Sequence, residues 1–155
     1  MPTIDWNRQR IIFVCSGNIC RSPMAVELAR LFFAERGWQP LIISMGTLGL
    51  INQPAQPHAC TAIAEVGGDL SAHRSQALSA TLANAADFCF GMESEHVVAI
   101  RQCGPKAHAA ARLLAAYATP PLPEVFDPIG TSLNSYRACR DLIQGCIHQW
   151  FSMAV

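Results

Sequence analysis

The sequence predicts an α/β fold, a single three-layer αβα domain built on a four-stranded parallel sheet. Two observations predict it. Short apolar runs rich in β-branched residues alternate along the chain with longer stretches of helical spacing. Of the 155 residues, 51% are hydrophobic and only 14% charged, enough to bury one core of ordinary size. No repeat, linker or low-complexity stretch divides the chain, so residues 1–155 read as one domain.

Ile11-Ile12-Phe13-Val14 reads as a strand buried on both faces. A polar turn, Cys15 through Arg21, follows it. Ser22-Pro23 then reads as a helix start, Ser at the N-cap and Pro at the first helical position. Met24, Leu28, Leu31 and Phe32 keep helical spacing up to Gly37, where a C-cap belongs. Leu41-Ile42-Ile43-Ser44 is a second strand, and 46–57 a turn-rich loop. Residues 58–66 are helical in composition, closed by Gly67-Gly68. Residues 86–90 form a third strand, and 93–101 a helix. Residues 109–116 are ambiguous, because Ala and Leu favour helix while the alternating order favours a fourth strand. A Pro-rich loop covers 119–130, and a closing helix 132–151. Strands and helices in this order give a parallel sheet covered on both faces. Ligands in such folds sit beyond the carboxyl ends of the strands, which is where the Cys15 turn lies.

Composition narrows the partners. Lys+Arg and Asp+Glu number 11 each, so no broad field draws in nucleic acid or a membrane surface. The apolar run after Arg8 and Arg10 is too short for a signal or spanning segment, so no membrane insertion is expected. Seven cysteines (Cys15, Cys20, Cys60, Cys89, Cys103, Cys139 and Cys146) include no CxxC pair. A disulfide framework and a zinc site are both disfavoured, and a reducing, cytoplasmic setting is expected. No metal or cofactor is implied.

The chemistry concentrates in one turn. Cys15 and Arg21 stand in a Cys-x5-Arg spacing between a buried strand and a helix start. Backbone N–H groups in such a loop converge into an anion nest, and the helix N-terminus adds unpaired donors and partial positive charge. Ser16, Gly17, Asn18, Ile19, Cys20, Arg21 and Ser22 would form that cradle. Gly17 allows a tight turn with positive φ, and Asn18 tolerates unusual backbone angles. The Arg21 fork can hold two phosphate oxygens, and the same field favours the Cys15 thiolate. Spacing alone fits equally a buried strand-end thiol beside a surface arginine.

Val14-Cys15-Ser16-Gly17-Asn18-Ile19-Cys20-Arg21-Ser22-Pro23 resembles the phosphate loop of the low-molecular-weight protein tyrosine phosphatases. Ser44-Met45-Gly46-Thr47, His73-Arg74-Ser75, the segment from Ala86-Asp87 to Met92-Glu93, and Asp127-Pro128 are similar to further family segments in the same order. The resemblance implies phosphotyrosine hydrolysis through a phosphocysteine, with inorganic phosphate as product. Cys15 would be the nucleophile, Arg21 the oxyanion ligand and Asp127 the general acid. Without the loop, Asp127-Pro128 would pass for an ordinary turn. The resemblance further implies that Asn18, Ser44 and His73 brace the loop, that Ser22 bonds to the Cys15 sulfur, and that Cys20 can form a reversible disulfide with Cys15.

The chain departs from many relatives at the rim. Ile129 follows Asp127-Pro128 where an aromatic is common, and Leu48, Leu50 and Ile51 occupy the first loop. An aliphatic rim stacks less well on an aryl ring. This first loop resembles bacterial members tied to polysaccharide export, which implies a membrane tyrosine kinase as the phosphotyrosine partner. Two other functions share the loop. An arsenate reductase of the same fold would need cysteines to relay a disulfide outward, and only Cys89 and the distant Cys103 offer themselves. A non-catalytic phosphate-binding module would lack the nucleophile or the acid, and this chain has both.

Overall fold

A computed structural model describes residues 3–154. Strands β1 (Arg10–Cys15), β2 (Leu41–Gly46), β3 (Phe88–Gly91) and β4 (Ala111–Leu113) form one sheet in the order β2-β1-β3-β4, every neighbouring pair parallel. The connecting helices are α1 (Arg21–Ala34), α2 (Pro57–Ala64), α3 (Ala80–Ala83), α4 (Ser94–Arg101), α5 (Pro105–Ala110) and α6 (Leu133–Ala154).

The period-2 alternation of β1 sorts its side chains between two cores. Ile11, Phe13 and Cys15 join one cluster with residues of α1, α2 and α6, and Ile12 and Val14 join the other with residues of α3, α4 and α5. This is the expected three-layer arrangement. Trp6 and Trp150 are buried and pack edge to face in the first core, 5.5 Å between ring centroids. The chain leaves β1 toward β2 on one side and returns to β3 on the other. The carboxyl end of β1 is therefore the switch point of the sheet.

Two expectations are corrected and one open reading is resolved. α1 begins at Arg21 with Cys20 in the cap position, so Ser22 lies inside the first turn and is no N-cap. Its hydroxyl is turned toward the Cys15 sulfur instead. β3 starts at Phe88; just before it the Asp87 N–H donates to the Arg10 carbonyl at 2.9 Å, and the Asp87 carboxylate accepts from the Arg10 N–H at 2.8 Å. The ambiguous 109–116 stretch divides: α5 ends at Ala110, β4 takes Ala111–Leu113, and Leu114–Tyr117 is a 3-10 turn.

Candidate active site

The loop between Cys15 and Arg21 is turned inside out relative to an ordinary turn. Its carbonyls accept from donors outside it: Cys15 O from Thr47 N, Ser16 O from Leu48 N, Ile19 O from Gln56 N, and Cys20 O from Met24 N. In a trans peptide the C=O and the following N–H point opposite ways. The N–H groups of Ser16, Gly17, Cys20 and Arg21 are thus turned away from those outside donors, the backbone arrangement that an anion nest requires. Asn18 N–H donates to the Cys15 sulfur at 3.2 Å, and the Ser22 hydroxyl lies 2.9 Å from that sulfur.

The left-handed residue is Asn18, at φ 58, and not Gly17. A Cβ at Gly17 would meet only side chains, Ile19 at 3.3 Å and Leu50 at 3.6 Å, so space is little constrained there. Gly46, at the end of β2, is more tightly constrained. A Cβ on it would come within 2.7 Å of the Ser16 carbonyl oxygen and 3.0 Å of Asn18 N.

Asn18 ties the loop to three segments. Its Nδ2 donates to Ser22 Oγ and Ser44 Oγ, both at 2.8 Å, and its Oδ1 accepts from Gln76 N at 2.9 Å. His73 Nε2–H donates to the Asn18 carbonyl at 2.7 Å, and burial holds the His73 pKa below its ordinary value. The expected bracing trio of Asn18, Ser44 and His73 is thus brought together. Gln76, which also holds the Ser44 carbonyl at 2.9 Å, had no signal in the sequence.

Arg21 is buried at 2% exposure. Its Nη1 donates to the Val125 carbonyl at 2.8 Å and pairs with Glu93 at 3.2 Å. Its Nη2 lies 3.5 Å from Ser16 Oγ and 3.7 Å from the Asp127 carboxylate. Asp127 also caps its own turn, accepting from Ile129 N at 3.1 Å. A hollow of about 140 Å³ gathers Cys15, Arg21 and Asp127, with Leu48, Leu50 and Ile129 around it. Cys20 sits beneath it, its thiol 3.4 Å from the Tyr136 hydroxyl and pushed by burial to about 11.

Glu93 and His96 are the functional neighbours that sequence reasoning missed. His96 is fully buried, with Nδ1 accepting from Glu93 N at 3.0 Å and Nε2 2.9 Å from Ser16 Oγ. Burial, with the Arg21 charge nearby, lowers its pKa from 6.5 to about 4. Donor atoms of Glu93, Glu95 and His96 lie within 4.8 Å of one another, a spacing that would suit a metal. Both ring nitrogens are already bonded and Glu93 already faces a guanidinium, so the group serves as a brace for the loop.

The family model for low molecular weight phosphotyrosine protein phosphatase matches residues 10–154. The chain belongs to that family. It is 33% identical over 139 residues to the protein-arginine-phosphatase of Bacillus subtilis, covering 90% of this chain and 92% of that one. It is 29% identical over 140 residues to the low molecular weight protein-tyrosine-phosphatase Etp of Escherichia coli, covering 90% of each. Among solved structures, Wzb of Vibrio vulnificus in complex with benzylphosphonate superposes with a TM-score of 0.83 at 26% identity, covering 94% of this chain and 98% of that one.

Proposed function

We propose that this chain hydrolyses phosphotyrosine in proteins through a phosphocysteine on Cys15. One observation carries the reading: a sulfur held by the Ser22 hydroxyl and the Asn18 N–H shares a hollow with a buried guanidinium and a carboxylate. The Cys15 thiolate attacks phosphorus and the S–P bond forms as the P–O bond to the aryl group breaks. The loop N–H groups and Arg21 hold the three equatorial oxygens. Asp127 serves as general acid and gives a proton to the departing phenolate oxygen. The resulting carboxylate then takes a proton from water as that water attacks phosphorus. The S–P bond breaks, and inorganic phosphate and the thiolate are restored.

The arginine-phosphatase relative raises phosphoarginine as a second substrate. The aryl ester is kept as the first substrate because Asp127, already the proton donor, is the one carboxylate among the lining residues of the hollow. A guanidinium leaving group would sit in that lining with no other acid to pair it. A phosphotyrosine-bearing tail of a membrane tyrosine kinase is the proposed physiological substrate. All seven cysteines are free thiols, which suits the cytoplasmic face of such a kinase. Cys20 is the proposed resolving thiol. Peroxide oxidises the Cys15 thiolate to a sulfenic acid; the Cys20 sulfur then attacks that sulfur, the S–O bond breaks as the S–S bond forms, and the oxygen leaves as water with the Cys20 proton. Mass spectrometry after mild peroxide checks that bond.

The test is turnover of matched phosphotyrosine, phosphoarginine and phosphoserine peptides, with arsenate beside them. Wild type is expected to release phosphate from the phosphotyrosine peptide fastest, and Cys15→Ser to release none. Faster release from phosphoarginine, or thiol-dependent arsenate reduction, would replace this reading.

A further inference from the structure

We propose that His96 and Ser16 form a positioning pair for Arg21, in which His96 donates its Nε2–H to the Ser16 hydroxyl and so fixes the guanidinium plane that meets the substrate phosphate. The inference rests on the reading of Cys15 and Arg21 as the phosphoryl-transfer centre.

The tautomer follows from hydrogen-bond accounting. His96 Nδ1 accepts from the Glu93 N–H, so it carries no proton. The neutral ring must then bear its proton on Nε2, 2.9 Å from Ser16 Oγ. The Ser16 oxygen has two lone pairs. One takes the His96 N–H, and the other faces Arg21 Nη2 at 3.5 Å. A charged imidazole is disfavoured there, because the ring is fully buried and Arg21 lies beside it. Glu93, Glu95 and Asp127 also face the ring, two of them exposed enough to be screened by water.

Glu93 couples the two halves of the device. Its N–H sets the His96 tautomer, while its carboxylate holds Arg21 Nη1. With Val125 O and Ser16 Oγ, three fixed acceptors surround the guanidinium, and the open edge faces Asp127 and the hollow. A planar fork works only when aligned with the oxyanion, so such bracing acts on orientation. A separate observation agrees. Gly91, at the end of β3, would bring a Cβ within 2.9 Å of Val97 N and 3.0 Å of His96 Cβ. Only a residue without a side chain lets the first turn of α4 press this close to the loop. The imidazole, 80 positions from Ser16 in sequence, is thereby placed within reach of the Ser16 hydroxyl.

The experiment is a double-mutant cycle on an aryl phosphate, with Ser16→Ala, Ser16→Thr and His96→Phe made in wild-type and Arg21→Lys backgrounds. Ser16→Ala and His96→Phe are each expected to lower kcat about tenfold while KM moves less than about twofold. Ser16→Thr keeps the hydroxyl and should restore most of the rate. In the Arg21→Lys background the same two losses should shrink to less than about twofold, since the fork they orient is gone. Equal losses in both backgrounds would overturn the proposal, as would a rise in KM at constant kcat. An imidazole 15N spectrum of wild type is the second readout: a proton on Nδ1 of His96 overturns the proposal, and one on Nε2 supports it even if a variant fails to fold. Wild type without phosphatase activity would sink the functional reading alone, leaving that spectrum to decide the hydrogen bond.

Discussion

The Ser22 hydroxyl, 2.9 Å from the Cys15 sulfur, is simultaneously the acceptor of a 2.8 Å hydrogen bond from Asn18 Nδ2. Because Asn18 occupies one lone pair with a donated proton, the hydroxyl's own hydrogen is left for the sulfur. Asn18 N–H reaches the same sulfur from the loop side. Two donors therefore meet a single sulfur, and both strengthen when it carries charge.

Ser22→Ala should slow the second chemical step more than the first. Sulfur is the leaving group when water attacks the phosphocysteine, and the lost hydrogen bond stabilised it as thiolate. About 1.5 to 3 kcal/mol for a bond to a charged group corresponds to roughly 10- to 160-fold in that step. A stopped-flow burst of phenolate, with phosphocysteine trapped by acid quench, is the expected outcome. Linear release of phenolate at the wild-type rate would contradict it.

The parts of this centre differ in how far the sequence discloses them. Cys15 through Arg21 is contiguous, and its place between an apolar run and a helical stretch shows what it is for. Asp127 emerges only because a family pattern distinguishes Asp-Pro from an ordinary turn. Ser22 is misread as a cap because the same small hydroxyl serves caps and sulfur alike. The deciding fact is where α1 begins, and that is a backbone property of Cys20. His96 and Gln76 carry no local signal at all, and Glu93 reads only as the start of a helix. They reach the loop because β3 pairs with β1 and because a bridge joins Gly46 to Ala77. The helices α3 and α5, of 4 and 6 residues, are too short for periodicity to register. β4 is a three-residue edge strand whose existence is set by pairing Cys89 with Ala111, against the helical preference of its own residues.

Gly46→Ala should abolish oxyanion binding while leaving the fold intact. The added methyl meets the Ser16 carbonyl oxygen and the Asn18 nitrogen, which are backbone and cannot swing away. The loop must shift by several tenths of an ångström, and its N–H groups then miss the phosphate oxygens. Expected are a wild-type circular dichroism spectrum, loss of competitive inhibition by inorganic phosphate, and a kcat/KM reduced about a hundredfold or more. Retained phosphate inhibition would show that the loop tolerates a side chain there.

Asp127→Asn should discriminate between leaving groups. An amide cannot donate the acidic proton, so the cost falls on phenolates that leave poorly. For phenyl phosphate kcat should drop about 10² to 10⁴, and far less for an ester of a strongly acidic phenol. A steeper dependence of rate on leaving-group acidity is the measured quantity. A slope unchanged from wild type would remove Asp127 from the proton transfer and leave it as the cap of its own turn.

Acid should destabilise the fold through His96, whose buried ring refuses a proton that the unfolded chain accepts. Its pKa is lowered on folding, from 6.5 to about 4, so between those values the unfolded chain binds a proton that the folded chain refuses. Stability from this group is complete above about pH 6.5 and is lost as pH falls toward 4. One extra proton on the unfolded side gives a slope of at most about 1.4 kcal/mol per pH unit. His73 and His148 are shifted in the same direction by burial, so wild type alone overstates the effect. Subtracting His96→Gln, whose side chain does not titrate, isolates it. Urea unfolding between pH 7 and pH 4 should show wild type losing stability faster than His96→Gln. Parallel curves would mean that the imidazole titrates as freely as it does in the unfolded chain, which a ring donating to Ser16 and accepting from the Glu93 N–H cannot do.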